Sequence, residues 1–175
     1  ALLAGVAEAD ERGRPATYFH NNAWTVRGLR DWARLLDLHG KEAEAKKMRD
    51  EAASLEEILL DAIEEAWPRD PEDWWLRPTV EDMVDEGYMS EKDEVAQPSA
   101  DLTQPVTARR LGSYANYRYW PELLSSGVLP HYWMERIVQA RLQSGGQWCG
   151  CTRFYHILDD WPLAEYLDGL WRLVR

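Results

Sequence analysis

Apolar residues recur every three or four positions over two long stretches near the start of the chain. In the stretch 22–38 they fall at positions 24, 28, 32 and 35 and at 26, 29, 33 and 36, with arginines and Asp31 on the opposite side. This spacing predicts an amphipathic helix with a broad apolar face. Gly40 marks its end, and the spacing resumes from Lys41 to Trp67. The pattern therefore predicts an antiparallel αα-hairpin over 22–67.

Prolines interrupt the pattern over the next stretch of the chain. Helical periodicity is lost across 68–105, an acidic connection that contains several prolines. A connection this long in a compact domain is usually functional or partly helical, and we expect one short helical piece over 83–90.

Helical spacing returns over 106–175. Pro121 is expected to bend or restart a helix before the turn at Ser125 and Gly127, and Pro130 to open another. The last helix is predicted over 161–174. Because no segment alternates with a period of two, we predict an all-α chain. We expect one helical domain, 1–175, with helical hairpins over 106–175.

Composition narrows the classes of ligand. The chain has ten Trp and eight Tyr but only two Phe, and rings with a polar edge suit surfaces that bind sugars, peptides or proteins. The net charge of -11 argues against nucleic acid, which requires a basic patch. No apolar run is long enough to cross a membrane, so we expect no membrane association.

The two cysteines and the N-terminal residues bear on the compartment. Cys149 and Cys151 are one residue apart, a spacing that provides no disulfide framework, so a reducing, cytoplasmic compartment is favoured. The first residues lack the basic start of a signal peptide, and they resemble the end of a helix that begins before Ala1.

The amino-acid sequences of the predicted hairpins resemble those of a known superfamily. NNAWTVRGLRDWARLLDLHGKEAEAKKMRDEAASLEEILLDAI has an aromatic residue near the start of one helix, a short glycine turn, and a second helix rich in Ala and Glu. SYANYRYWPELLSSGVLP and GGQWCGCTRFYHILDDWPLAEYL have a similar character. Together they resemble the six-hairpin glycosidase-like superfamily, the (α/α)6 toroids. The resemblance implies a partial (α/α) toroid with a carbohydrate cleft lined by Trp and Tyr at the starts of the inner helices.

The same resemblance bears on completeness and activity. A full toroid needs about twice the helices predicted here, so we expect a C-terminal portion of a longer chain, a second copy that completes the ring, or an incomplete ring. Glycoside hydrolases and uronate polysaccharide lyases both have this architecture. We favour a glycoside hydrolase that acts on an oligo- or polysaccharide, with a lyase or a non-catalytic helical domain that binds a glycan or a protein as alternatives.

Hydrolysis requires two carboxylates. Asp159 or Asp160 is the first candidate, and the second is Glu122 or an acidic residue of the long connection. A carboxylate at a helix start is held in its ionised form, which suits a general base. The alternative role for Asp159 or Asp160 is to cap the last helix.

A lyase would centre on His20, Tyr117 and either Arg118 or Arg153. His20 or Tyr117 would act as acid or base, while an arginine neutralises the uronate carboxylate. The alternative for the tyrosine-rich helix is ordinary packing with wet hydroxyl groups.

Further residues are candidates for binding the sugar. Asn22 would bind hydroxyl groups and Trp24 would stack on a ring, although Asn21 or Asn22 can instead cap the first helix. Arg153 can bind an anion or form a salt bridge to Asp159. Buried, inert thiols are the favoured interpretation of the cysteines, so we predict no metal and no cofactor. The full set of predicted binding residues is Asn22, Trp24, Tyr114, Arg118, Trp120, Trp148, Arg153 and His156.

Overall fold

The structure of the chain is a computed structural model. The described residues are 1–6, 15–67, 76–77, 79–81, 115–143, 147–148, 150–154, 157–160 and 162–175. The predicted helix over 83–90 and most of the connection 68–105 lie outside them.

The described part of the chain is mostly helical, in agreement with the predicted class. The long helices are α1 (Phe19–Leu38), α2 (Glu42–Ala66), α4 (His131–Gln143) and α5 (Leu163–Leu173). A π-helix (Ala115–Tyr119) continues directly into the short α3 (Trp120–Ser125). The short strands are β1 (Gly5–Val6), β2 (Pro15–Ala16), β3 (Gln147–Trp148), β4 (Cys151–Phe154) and β5 (Ile157–Asp159).

Helix α1 begins earlier than its sequence pattern predicts. Its N-cap is Tyr18, which makes no side-chain capping bond, so the expected cap at Asn21 or Asn22 is wrong. Asn22 instead lies buried inside the helix and exchanges hydrogen bonds with the backbone of Leu3, which ties the N-terminal segment to α1. The helix ends as predicted, with Gly40 in the left-handed conformation at φ 70°.

Helices α1 and α2 pack along their length. Asp37 near the end of α1 pairs with Arg49 early in α2 at 2.5 Å, and Arg30 pairs with Glu56 further along. The two helices therefore run in opposite directions. A small apolar cluster formed by Ala33, Leu36 and Ala45 closes the end near the turn.

The main core surrounds α3. Every residue of α3 except Glu122 is buried, and four of its six residues are apolar. Trp120 is 1% exposed, and its indole Nε1 donates to the carbonyl of Leu76 at 3.1 Å. Side chains from α1, α2, α4 and α5 join those of α3 in one cluster. Glu122 is thus the one partly exposed residue on an otherwise buried helix.

A small sheet occupies the position of a predicted inter-helix loop. Strands β3, β4 and β5 form an antiparallel sheet in that order, with Trp148 opposite Cys151 and Thr152 opposite Asp159. The strands are too short for alternation to be visible in the sequence.

The predicted cap of the last helix is also wrong. The N-cap of α5 is Pro162, which makes no side-chain capping bond. Asp160 is exposed and contributes only its backbone carbonyl, which accepts from the N–H of Leu163 at 3.0 Å.

The described part of the long connection packs against the start of α1. Thr79 pairs with Tyr18 in an isolated bridge, and the Glu81 carboxylate accepts from both the N–H and the hydroxyl of Thr17. These hydrogen bonds hold the pKa of Glu81 below its usual value in spite of the opposing effect of burial. Leu76 is fully buried, so this part of the connection belongs to the core.

Helix α5 approaches α3 closely at Gly169. A Cβ at this position would lie 2.5 Å from the Cβ of Leu124 and 3.3 Å from its backbone carbon. We expect Gly169→Ala to lower the free energy of unfolding by about 1–3 kcal/mol, because one of the helices must shift. Urea denaturation measures the change.

Gly28 provides the matched control. It is an exposed helical glycine in α1, and a Cβ there would meet no atom within 4 Å. We expect Gly28→Ala to raise the free energy of unfolding by about 1 kcal/mol, because alanine is the better helix former. Destabilisation by both substitutions would contradict close packing as the cause.

Candidate functional site

Polar and aromatic side chains from two parts of the chain meet beside α3. The start of α1 provides Tyr18 and His20, while the π-helix and α3 provide Arg118, Tyr119 and Glu122. Arg118 and Glu122 are four residues apart across the junction of the two helices, so they lie on the same side. We call these five residues the Glu122 cluster.

The carboxylate of Glu122 is the centre of the cluster. Arg118 Nε donates to Glu122 Oε1 at 2.5 Å, and His20 Nε2 lies 3.5 Å from Glu122 Oε2. The side chain of Glu122 is 16% exposed, whereas those of His20 and Arg118 are 2% and 7% exposed. Glu122 is therefore the member of this triplet that reaches toward solvent.

Aromatic rings surround His20. Its imidazole stacks on Tyr119 with ring centroids 4.5 Å apart and planes 6° from parallel. Tyr18 contacts both rings edge-on, at 5.5 Å from His20 and 5.4 Å from Tyr119. Tyr117 is buried in the adjoining cluster with Ala16. These contacts hold the imidazole in one orientation.

The surroundings of His20 keep it neutral. Burial, and secondly the positive charge of Arg118, lower the pKa of His20 from 6.5 to about 3. Its Nδ1 is buried and has no hydrogen-bond partner within the described residues. A group with so low a pKa is a weak base at neutral pH. The predicted role of His20 as a general base is therefore disfavoured relative to a role as a neutral neighbour of Glu122.

Trp24 lies at the edge of the cluster. It is 40% exposed, and its Nε1 donates to the backbone carbonyl of Glu122 at 3.0 Å. Arg27 covers part of the ring at 5.0 Å and donates to the carbonyl of Ser125 at 2.7 Å. This pair fixes the start of α1 to α3 and leaves an aromatic surface in contact with solvent.

Other predicted binding residues have structural roles. Asn22 and Trp120 are 0% and 1% exposed, and the backbone groups of Leu3, Tyr18 and Leu76 accept hydrogen bonds from their side chains. Direct contact with a sugar would require these side chains to leave the core. Tyr117 is likewise buried, at 7% exposed.

Several predicted residues lie partly or wholly outside the described residues. Tyr114 and His156 lie outside them entirely. Trp148, Arg153 and Asp159 are located by their backbones in β3, β4 and β5, and strand β4 packs against the π-helix. The sheet thus places the strand of Arg153 beside the helix of Arg118.

Arg141 is a buried residue that the sequence analysis missed. Its Nη2 donates to the hydroxyl of Thr152 at 2.9 Å, and its guanidinium lies 4.1 Å from the ring of Tyr166. Burial lowers the pKa of Arg141 to about 10, so it stays charged at neutral pH, and burial raises the pKa of Tyr166. Its position, four residues after Ile137 on the apolar side of α4, was the available signal.

No group of three or more His, Cys, Asp or Glu within the described ranges is arranged to hold a metal ion. Cys151 is a half-buried free thiol, and Cys149 lies outside those ranges. None of the helices described is long and apolar enough to span a bilayer.

Comparison with known protein families, with curated proteins and with solved structures finds no match to this chain.

Proposed function

We propose that this chain is a carbohydrate-active protein that acts as a glycoside hydrolase on an oligo- or polysaccharide. The observation that carries the proposal is the Glu122 cluster: a carboxylate at the edge of the core, paired with Arg118 and flanked by His20 and Trp24. The sequence left the second carboxylate of a hydrolase open between Glu122 and an acidic residue of the long connection, and we propose Glu122.

The pairing with Arg118 suggests which role Glu122 takes. A cation that donates to a carboxylate favours its ionised form. An ionised carboxylate suits a general base or a nucleophile, whereas the general acid must carry a proton. Asp159 and Asp160 remain the candidates for the other carboxylate, and Asp160 is exposed to solvent.

Trp24 is the proposed platform for a sugar ring. Trp24 is partly exposed, and its indole donates a hydrogen bond to the Glu122 backbone. A sugar ring stacked on Trp24 would therefore be close to the Glu122 carboxylate. Arg118 is proposed to hold the Glu122 carboxylate in place, and Tyr119 to hold the His20 ring. Arg153, Trp148, Tyr114 and His156 are proposed as further contacts from the sheet and its neighbouring segments.

The helical architecture accommodates this proposal. The opposed packing of α1 and α2 is of the kind that builds an (α/α) toroid, and we propose that the chain forms part of one. Further helices of the ring would come from a longer chain or a second copy. The net charge of -11 favours a neutral sugar over a polyanion, and we propose neither nucleic acid nor a membrane as a partner.

A uronate lyase is the second candidate. The observation that favours it is the proximity of Arg118 and two tyrosines to His20, because a tyrosine can move a proton and an arginine can neutralise a carboxylate. Against it, Arg118 already pairs with Glu122. The hydrolase therefore remains the leading proposal.

A panel of neutral and uronic oligosaccharides tests these proposals. Release of reducing ends without ultraviolet absorbance is expected for a hydrolase, whereas absorbance from unsaturated products would instead establish a lyase. Calorimetric binding without turnover would establish a non-catalytic glycan-binding domain. The absence of both turnover and binding across the whole panel would contradict a carbohydrate-active protein.

The role of Trp24 can be tested on any substrate found in this way. We expect Trp24→Ala to raise KM about fivefold, because stacking on an aromatic ring is worth about 1 kcal/mol. Tyr132→Ala is the matched control, since Tyr132 is an aromatic residue 62% exposed on α4. Equal effects of the two substitutions on KM would contradict stacking at Trp24.

A further inference from the structure

The broad apolar face of α1 is divided in the structure. Val26, Ala33 and Leu36 pack into the interior, but Trp32 is 54%, Leu35 48% and Leu38 81% exposed. These three exposed residues, spaced three apart, lie along one side of the helix and form what we call the α1 stripe. A helix that is apolar on its solvent side as well as its core side is typical of a helix covered by a partner.

A second exposed stripe lies on α5. Leu167, Trp171 and Val174 are 54%, 56% and 75% exposed, with a spacing of four and three residues. We call these residues the α5 stripe. The carboxylate of Asp168 lies 3.8 Å from Arg27 of α1, so the two helices that carry the stripes are neighbours.

The exposed apolar area suffices for a stable contact. The six side chains expose roughly 600 Å² in total, taking about 250 Å² for a whole tryptophan. A standard interface buries about 800 Å² per partner, of which a little over half is apolar. The two stripes therefore provide the apolar part of an interface.

The charges around the stripes favour a second copy as the partner. Helix α1 carries three arginines and two aspartates, and Glu165, Asp168, Arg172 and Arg175 lie on or just after α5. The surface is thus close to neutral although the chain carries -11. By contrast, α2 carries nine acidic against three basic side chains. Two copies of so acidic a chain repel each other least where their charges balance.

We propose that the α1 and α5 stripes form the contact between two copies of this chain, related by a two-fold axis. In a two-fold contact each copy presents the same surface, so the α1 stripe of one copy can cover the α5 stripe of the other in both directions. Trp32 and Trp171 are the central anchors, because buried tryptophans dominate interface energies.

Sedimentation equilibrium tests the contact. We expect the 20.3 kDa chain to form a dimer, and no larger species, as its concentration rises to about 100 µM, a range that populates micromolar contacts. Trp32→Glu and Trp171→Glu are each expected to raise the dissociation constant at least about tenfold. Leu142→Glu is the matched control, since Leu142 is 51% exposed on α4, and it should leave the constant unchanged.

Circular dichroism of each variant separates loss of the contact from loss of the fold. Folded variants that dissociate while the Leu142→Glu protein remains dimeric would support the interface. A chain that stays monomeric throughout the concentration range would overturn the proposal. Equal weakening by Leu142→Glu, or growth beyond the dimer, would also overturn it.

Discussion

Replacing Glu122 by Gln is expected to lower kcat for the proposed glycoside hydrolysis by about 10³-fold, as removal of a catalytic base or nucleophile does. Glutamine keeps the size of the side chain and an oxygen that can accept from Arg118, but it lacks the negative charge. KM should change little, because the loss is expected in the chemical step. Steady-state kinetics on the substrate identified from the panel measures both constants.

The Glu122 prediction requires a control for structure. Glu56→Gln removes a different carboxylate that pairs with an arginine, Arg30, on the contact between α1 and α2. We expect it to leave kcat within about twofold, since that pair is outside the Glu122 cluster and only partly buried. Recovery of activity in Glu122→Ala by added formate or azide would distinguish chemistry from folding. Retention of full activity by folded Glu122→Gln would refute the assignment.

Lowering the pH is expected to destabilise the protein through His20. Its pKa is about 3 in the folded chain and 6.5 as its ordinary value, so the unfolded chain takes up the proton first. The contribution of the neutral, buried His20 to the free energy of unfolding is complete above pH 6.5, and it is lost as the pH falls toward 3. From pH 8 to pH 4.5 His20 alone should remove about 3 kcal/mol from the free energy of unfolding. Urea unfolding at a series of pH values measures the slope.

A pair of histidine variants isolates this contribution. His20→Gln cannot take up the proton and keeps an amide that can face Glu122, so its slope should be smaller by about 1.4 kcal/mol per pH unit between those two pKa values. His39→Gln replaces an exposed histidine just after α1 and should retain the slope of the unchanged protein. If His20→Gln and His39→Gln have the same slope, burial of a neutral His20 is excluded.

The long helices were accessible to sequence reasoning. The three-four spacing of apolar residues predicted α1, α2, α4 and α5 to within a few residues. The small sheet of β3, β4 and β5 was not predicted, and the starts of α1 and α5 were predicted incorrectly. Tyr18 and Pro162 occupy the N-cap positions without a side-chain bond, so the residue types that usually mark a helix start were misleading here.

The candidate site was only partly accessible. Individual residues such as His20, Arg118 and Glu122 could be selected by type, but the contact of His20 with Glu122 joins residues about a hundred positions apart. The sequence carries no local signal for such a contact. Asn22 and Trp120 show the converse, because residue types that suit sugar binding are equally suited to tie buried backbone groups together.

The sequence by itself determined the helical class, the positions of the long helices and the acidic, tryptophan-rich composition, because these follow from local periodicity and residue content. Only the tertiary structure decided which apolar residues of α1 are buried. It also decided that Glu122 lies at the edge of the core and that His20 stays neutral. Those properties depend on burial and on charges contributed by distant segments, and both arise only when the helices pack.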